Sequence, residues 1–406
     1  MRPARPQALR PRIAIVGANF AGLAAARELG RDYAVTVFDR SASFEWLPNI
    51  HELLSGVKRK ADLRLPRRRL VTRAGHRFVR AEVNAIDAAA GQLSTNTGRK
   101  FGFDFCIVAV GGADETHGVR GAHRHAMPFK SVDDCAAIGH ELATLARKRG
   151  PKSVVIVGGG LEGVEALGEI LRRYARLDGL AITLVEAGSR LLPGTPIRLD
   201  AAVRAHCEGR DVRIVTGSPV TAVTRKQVRL RGGATIRSDL TLWTGGVTAP
   251  PLLHETGLAD KPRQWAPVTA ALRSKRFDNV FVIGDAAALP RPIAKQAYYA
   301  LQMGVAAAAN VKRALAGRAL RDFKPSAKPM LVAFGDLDTF LVSGRTVIAS
   351  PGLAALKEAV FQVTMAEIDP PLSASALGQM TGRLRTAATQ LAVPKIRRLL
   401  KTQRLG

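Results

Sequence analysis

Cysteine is scarce. Cys106, Cys135 and Cys207 are the three in 406 residues. They are far apart and form no CxxC pair, which excludes a redox dithiol of that kind and a cysteine-built zinc site. Cys106 lies inside an apolar run and reads as core packing. Such sparing use suits a reducing compartment. Long apolar runs are missing too: none reaches the roughly 18–20 residues that span a bilayer. Acidic residues are few, 33 against 61 Lys and Arg, for a net charge of +28. That excess points to an anionic membrane surface, an acidic partner protein or nucleic acid, or simply to a very soluble basic protein, and it says nothing about fold. The basic first twelve residues precede an apolar stretch that reads as a strand rather than a signal core. Pro3, Pro6 and Pro11 argue against an amphipathic targeting helix there. What the chain does have is length and apolar content: 47% hydrophobic residues can build two or three cored domains.

Residues 12–40 set the pattern for the rest. Ile13 to Val16 is a short apolar strand. GANFAG comes next, with Gly17, Asn19, Phe20, Ala21 and Gly22. An Ala-rich helix succeeds it, then a second apolar strand that ends on Asp39, beside Arg40. Strand, tight turn, helix, strand and acid make a dinucleotide-binding βαβ unit. A bare turn at Gly17 lets a pyrophosphate approach the backbone, and the helix amino terminus offers free N–H groups. Gly22 lets helix and strand pack closely, and Asp39 can accept two hydrogen bonds from a ribose diol. Asn19 stands where a middle glycine is usual. Asn tolerates positive φ better than most residues, so the turn is still possible.

The same pattern returns after Pro151. A strand leads into GGGLEG, with Gly158, Gly160, Leu161, Glu162 and Gly163, then a helix and a second strand ending on Glu186. An acid there favours a free ribose 2′-hydroxyl, hence NADH over NADPH, although Arg190 is close in sequence. Two such units imply two dinucleotides, one held as a flavin and one exchanging as a nicotinamide.

Between and after them lie smaller signals. VAVGG ends a buried strand with Ala109 and Gly111, and LTLWTGG carries Gly245. Gly284 and Asp285 close another strand, where a short acid can bond a ribityl hydroxyl or cap a helix. Residues 294–316 read as a helix with Lys295 at its start, placed to stabilise negative charge on a reduced ring. Tyr298, Tyr299 and Gln302 would line a flat-ring pocket or pack. The basic run from Lys58 to Arg73 reads as a solvated face or a phosphate contact. Beyond Pro325 the spacing predicts three short strands with Gly335 and Gly344 in the turns. The terminal AVPKIRRLLKTQRLG predicts a basic amphipathic helix for a membrane surface or a second subunit.

The ordered set GANFAG, Asp39, VAVGG, GGGLEGVE, Glu186, LWTGG, VFVIGDAA and AKQAYYALQMG resembles the two-dinucleotide-fold flavoprotein reductases. Within them it looks most like the type II NADH dehydrogenases and the apoptosis-inducing-factor-like quinone reductases that suppress ferroptosis. The resemblance implies an α/β fold with two Rossmann-like dinucleotide-binding domains and a C-terminal α+β extension. Its boundaries would be residues 1–120 with 272–322 for FAD, 121–271 for NADH and 323–406 for the extension. It also implies FAD, NADH and a quinone. Gly17, Gly22 and Asp39 would hold the FAD pyrophosphate and ribose, Val83 the adenine through its backbone, and Asp285 the ribityl chain. Gly158, Gly160, Gly163 and Glu186 would hold NADH, with Glu165 near the nicotinamide. Glu165 and Lys295 are the candidate catalytic residues, and Tyr298 and Gln302 the candidate quinone contacts. AKQAYYALQ departs from the AQxAxQ of the type II dehydrogenases and is nearer the ferroptosis-suppressor form. No cysteine lies beyond Cys207, which disfavours sulfide as a substrate. The expected activity is hydride transfer from NADH to flavin and then two electrons to a quinone. The expected location is cytoplasmic, or peripheral on the inner face of the cell membrane. A homodimer is left open; no metal and no specific nucleic acid is expected. Two other readings stand beside it: a reductase of an iron–sulfur protein or a diaphorase, and a basic binding flavoprotein with little turnover.

Overall fold

The computed structural model describes residues 10–370. The basic terminal helix expected over 392–406 lies outside the described residues. Two five-stranded sheets organise the chain, and every pairing within them is parallel. The first runs in the order 280–282, 105–108, 12–16, 34–39, 77–80. Its centre is β1 (Arg12–Val16), which leads into α1 (Phe20–Leu29) and β2 (Ala34–Asp39). The helix α2 (Arg67–Arg73) precedes the edge strand 77–80. The second sheet runs 127–128, 240–243, 152–157, 180–185, 212–215. Its centre is β3 (Lys152–Val157), which leads into α3 (Leu161–Tyr174) and β4 (Leu180–Val185). All six residues of β3 are buried, which is why an almost unbroken apolar run was needed there. Its one lysine, Lys152, places its ammonium on the Gly150 carbonyl, to which it donates at 2.8 Å.

The two sheets are built by one recipe. Strand 77–80 in the first and strand 212–215 in the second lead into a three-stranded antiparallel sheet, and that returns to the strand beside the centre. The inserts are 83–87, 92–95 and 100–102 in the first unit, and 220–223, 227–230 and 235–237 in the second. Just past the returning strands, Ala113–Asp114 and Val247–Thr248 pair antiparallel and tie the units together. The edges differ. The first sheet is completed by 280–282, from late in the chain, and the second by 127–128, which precedes it.

Long helix α4 (Ala297–Leu315) packs on α1. Small residues make this approach close. A Cβ on Gly304 would collide with the Ala21 carbonyl and stand 2.8 Å from Ala24 Cβ. The expected strands after Pro325 are 330–334, 338–343 and 346–349, paired antiparallel. This hairpin meets α3 where Gly168 faces Gly335: a Cβ on Gly168 would lie 2.5 Å from Gly335 N. The helix Leu353–Ile368 belongs to a separate compact unit that starts at Gly352.

Candidate functional site

Both glycine loops sit at the carboxyl ends of the central strands. Gly17 has φ +98 and Gly158 φ +111, values that favour glycine. Space demands glycine as well. A Cβ on Gly17 would strike the Ala109 carbonyl, and one on Gly158 would lie 2.6 Å from Thr244 Oγ1. Gly22 and Gly163 repeat each other one turn on: a Cβ on either would strike the carbonyl of the loop's first glycine. Asn19 keeps the turn without positive φ. Its φ is −99, so no left-handed residue is needed. Its side chain instead ties the loop to the backbone of Glu45, donating to that carbonyl at 3.2 Å and accepting from that N–H at 3.1 Å. Gly160, the matching residue, faces open space. Neither α1 nor α3 has a side-chain cap at its amino end. Their first N–H groups therefore point at a free position suited to an anion.

The two acids are held alike. Asp39 accepts from the N–H groups of Ala18 and Ser41, both at 2.8 Å. Glu186 accepts from Gly159 and Gly188, both at 2.6 Å. Each acid therefore braces the turn before its helix and the chain two residues beyond itself. The first unit adds Arg67, which sequence reasoning left inside the basic run. Its guanidinium meets Asp39 Oδ1 at 2.6 Å and donates to the carbonyls of Ala18 and Ser41 at 2.9 and 3.0 Å. Burial draws its pKa below the ordinary arginine value, opposed by Asp39. Oδ1 of Asp39 thus has two donors already, and Oδ2 keeps room for a ligand hydroxyl. Arg190 is held by the Thr195 carbonyl at 2.7 Å. Arg40 reaches Glu82 at 3.6 Å, and Val83 opens the next strand opposite Thr95.

The remaining expected site residues are held by contacts with other segments. Lys295 precedes α4 rather than starting it. Its ammonium lies 3.5 Å from the centroid of the Trp265 ring and donates to the Asp285 carbonyl. Burial lowers its pKa and the Asp285 charge resists that. Asp285 comes directly after Gly284, whose φ is +65. Burial raises the Asp285 pKa, and no described residue donates to its carboxylate. A half-buried acceptor without a donor is what a ligand hydroxyl would complete. Glu165 lies 3.4 Å from buried His51 and accepts from the Ala333 N–H at 3.1 Å. Glu162 pairs with Lys130 at 2.6 Å. The Gly245 carbonyl meets His117 at 2.6 Å. Tyr298 and Gln302 are both engaged with Ser326. Tyr298 donates to its carbonyl, and Gln302 Oε1 accepts from its N–H at 2.9 Å. Gly111 (φ +69) faces open space at the end of its strand.

Arg67, Lys130, Trp265 and His51 were not legible as site residues. Each gains its place from a contact distant in sequence. The three cysteines are buried and unpaired. Burial pushes the thiol of Cys106 up to about 12 and that of Cys207 up to about 11, so thiolate chemistry is not available to them. Among the described residues no His, Cys, Asp or Glu cluster is placed to hold a metal ion.

The chain is similar to several known proteins. A type II NADH:quinone oxidoreductase of Staphylococcus aureus is 26% identical over 358 residues, covering 81% of this chain and 89% of its own. Among solved structures, NDH2 from Plasmodium falciparum in complex with NADH superposes with a TM-score of 0.79 at 14% identity, covering 88% of this chain and 94% of that one. The sulfide:quinone oxidoreductase of Aquifex aeolicus gives 0.79 at 17% identity, covering 88% and 91%. These two show a shared fold. The model of the pyridine nucleotide-disulphide oxidoreductases matches residues 11–304, and the chain belongs to that family.

Proposed function

We propose that the chain is a flavin-dependent NADH:quinone oxidoreductase. The observation that carries this reading is the doubled loop: two glycine turns, two uncapped helix ends and two acids braced in the same way. The S. aureus relative, named for this activity and matched over most of both chains, supports it. Bound FAD supplies the hydride and electron relay between reductant and acceptor.

The chain's own residues bind and orient. The amino end of α1, with Gly17, Asn19, Phe20, Ala21 and Gly22, receives the FAD pyrophosphate. Asp39 Oδ2 takes a ribose hydroxyl, with Arg40 and the Val83 backbone on the adenosine side. Ala109, Gly111 and Gly284 leave room along the cofactor, and the unpartnered Asp285 carboxylate accepts from the ribityl chain. Lys295 holds a positive charge beside the ring. The amino end of α3, with Gly158, Gly160, Leu161 and Gly163, receives the NADH pyrophosphate, with Glu162 beside it held by Lys130 and Glu186 on its ribose. Glu165 and Gly245 border the nicotinamide. Tyr298 and Gln302 lie towards the quinone and reach it through the segment they hold at Ser326. The domain limits we propose are 1–120 with 272–322, 121–271 and 323–406. No described helix is long and apolar enough to cross a membrane. We place the protein peripherally on the inner face of the membrane, where the basic surface meets anionic lipid and quinone is at hand. The buried thiols speak against sulfide as the reductant.

The test is spectroscopic. Purified protein should be yellow, bleach with NADH without oxygen, and regain its bands when a short-chain quinone is added. A yellow protein that ignores NADH would sink the reading. One that returns its electrons only to an acidic iron–sulfur protein would replace the quinone.

A further inference from the structure

Glu162 presents a difficulty for the second loop. It is the second residue of α3, inside the uncapped first turn. A carboxylate there suits the helix, because it complements the positive end of the dipole. For the same reason it opposes any other anion brought to that end. The first turn of α1 contains no acid. Two more acids lie close by, since Glu165 and Asp114 both act electrostatically on Glu162. A dinucleotide would bring its pyrophosphate charge into a field that is already negative.

Lys130 answers this. Its ammonium donates to both Glu162 oxygens, at 2.8 and 2.6 Å. The pair is only partly open to water, with 20% of the lysine side chain and 38% of the glutamate exposed. The lysine backbone is anchored by the neighbouring helix Val132–Ala146, which Ser131 caps in a reciprocal box with Asp134. Lys130 also acts on the charges of Asp114 and Asp285. It is therefore a cation set among acids of both units.

We propose that Lys130 is a positioning residue for the nicotinamide dinucleotide, cancelling the Glu162 carboxylate so that the amino end of α3 can accept phosphate. The proposal rests on reading that end as the NADH site. It does not require Lys130 to touch the nucleotide, and that separates it from an ordinary phosphate-binding lysine.

The experiment uses the full-length FAD-loaded protein and four variants: Lys130→Met, Lys130→Arg, Glu162→Gln and the double Lys130→Met/Glu162→Gln. NAD+ affinity is measured by calorimetry, and KM for NADH and kcat are measured with a short-chain quinone. Lys130→Met should weaken NAD+ binding and raise KM by about tenfold or more, as an uncompensated charge at this range does, with kcat nearly unchanged. The double variant should return to within about threefold of wild type, and Lys130→Arg should stay there. A double variant as weak as Lys130→Met would overturn the proposal, because the lysine would then contact the nucleotide itself. Unchanged affinity in Lys130→Met would overturn it as well. If Lys130→Met does not fold, Glu162→Gln decides: cancellation requires equal or tighter binding, and weaker binding makes Glu162 a direct ligand. Wild-type protein that binds neither NAD+ nor NADH would remove the function reading, whereas tight wild-type binding with indifferent variants removes only this inference.

Discussion

At the scale of single residues, the strongest constraints are the loop glycines. Gly17→Ala combines an unfavourable φ with a collision against the Ala109 carbonyl. The variant should be purified without flavin colour and be destabilised by about 1–3 kcal/mol; a stable yellow Gly17→Ala protein would contradict this. Glu169 offers a pH handle. It is 1% exposed on α3, accepts from the Ser55 hydroxyl and lies 3.5 Å from Arg172. Burial nonetheless raises its carboxyl to about 6, from 4.5. A raised acid pKa means that the folded state holds its proton longer than the unfolded one. The stability linked to that proton is fully present below pH 4.5 and is lost as pH rises through about 6. The loss amounts to about 2 kcal/mol by pH 7. Urea melts at pH 4.5 and pH 7 should show this, and Glu169→Gln should remove that part of the difference. The residues that sequence reading singled out, such as Gly17, Gly158 and Glu186, make their contacts within one loop and its neighbours. Arg67, Lys130 and Trp265 do not. Arg67 looks like its neighbours Arg68 and Arg69 until α2 turns it alone inward on Asp39, 28 positions away.

At the scale of elements, the α1–α4 contact depends on small side chains. Gly304→Val should disrupt it, because the first added carbon already meets the Ala21 carbonyl. The expected cost is about 1–3 kcal/mol of overpacking with a matching fall in Tm, and a Tm within error of wild type would show that the helices part freely. The Ala-rich composition of the first helix was plain in the sequence. The partner was not announced, because residues 20–29 and 297–315 are brought together only by the finished fold. Asn19 is a similar case. Its departure from the glycine pattern was plain, but its role as a clip to Glu45 was not, since the strand at 43–45 gave no sign of passing there.

At the scale of the molecule, the net charge of +28 outweighs any single ion pair. The protein should sediment with vesicles containing anionic lipid and not with neutral ones, and about 0.5 M salt should release it, since that concentration shortens electrostatic reach to a few ångströms. Retention at high salt would point to an apolar anchor instead. The order of strands was legible only in part. Two βαβ units were readable because strand, turn and helix are consecutive in sequence. The equivalence of the two antiparallel inserts, and the unlike origins of the two sheet edges, emerge only once the strands are paired.

Those unlike edges have a consequence for how the chain is made. Synthesis proceeds from the amino end, and the second sheet has all five strands once residue 243 has left the ribosome. The first sheet has four by then, and waits with 105–108 as a bare border until 280–282 arrives. An unpaired border is a template for pairing with a neighbouring chain. The younger half of the molecule can therefore finish first, and the older half spends its nascent life as the sticky one, dependent on prompt completion or on a chaperone.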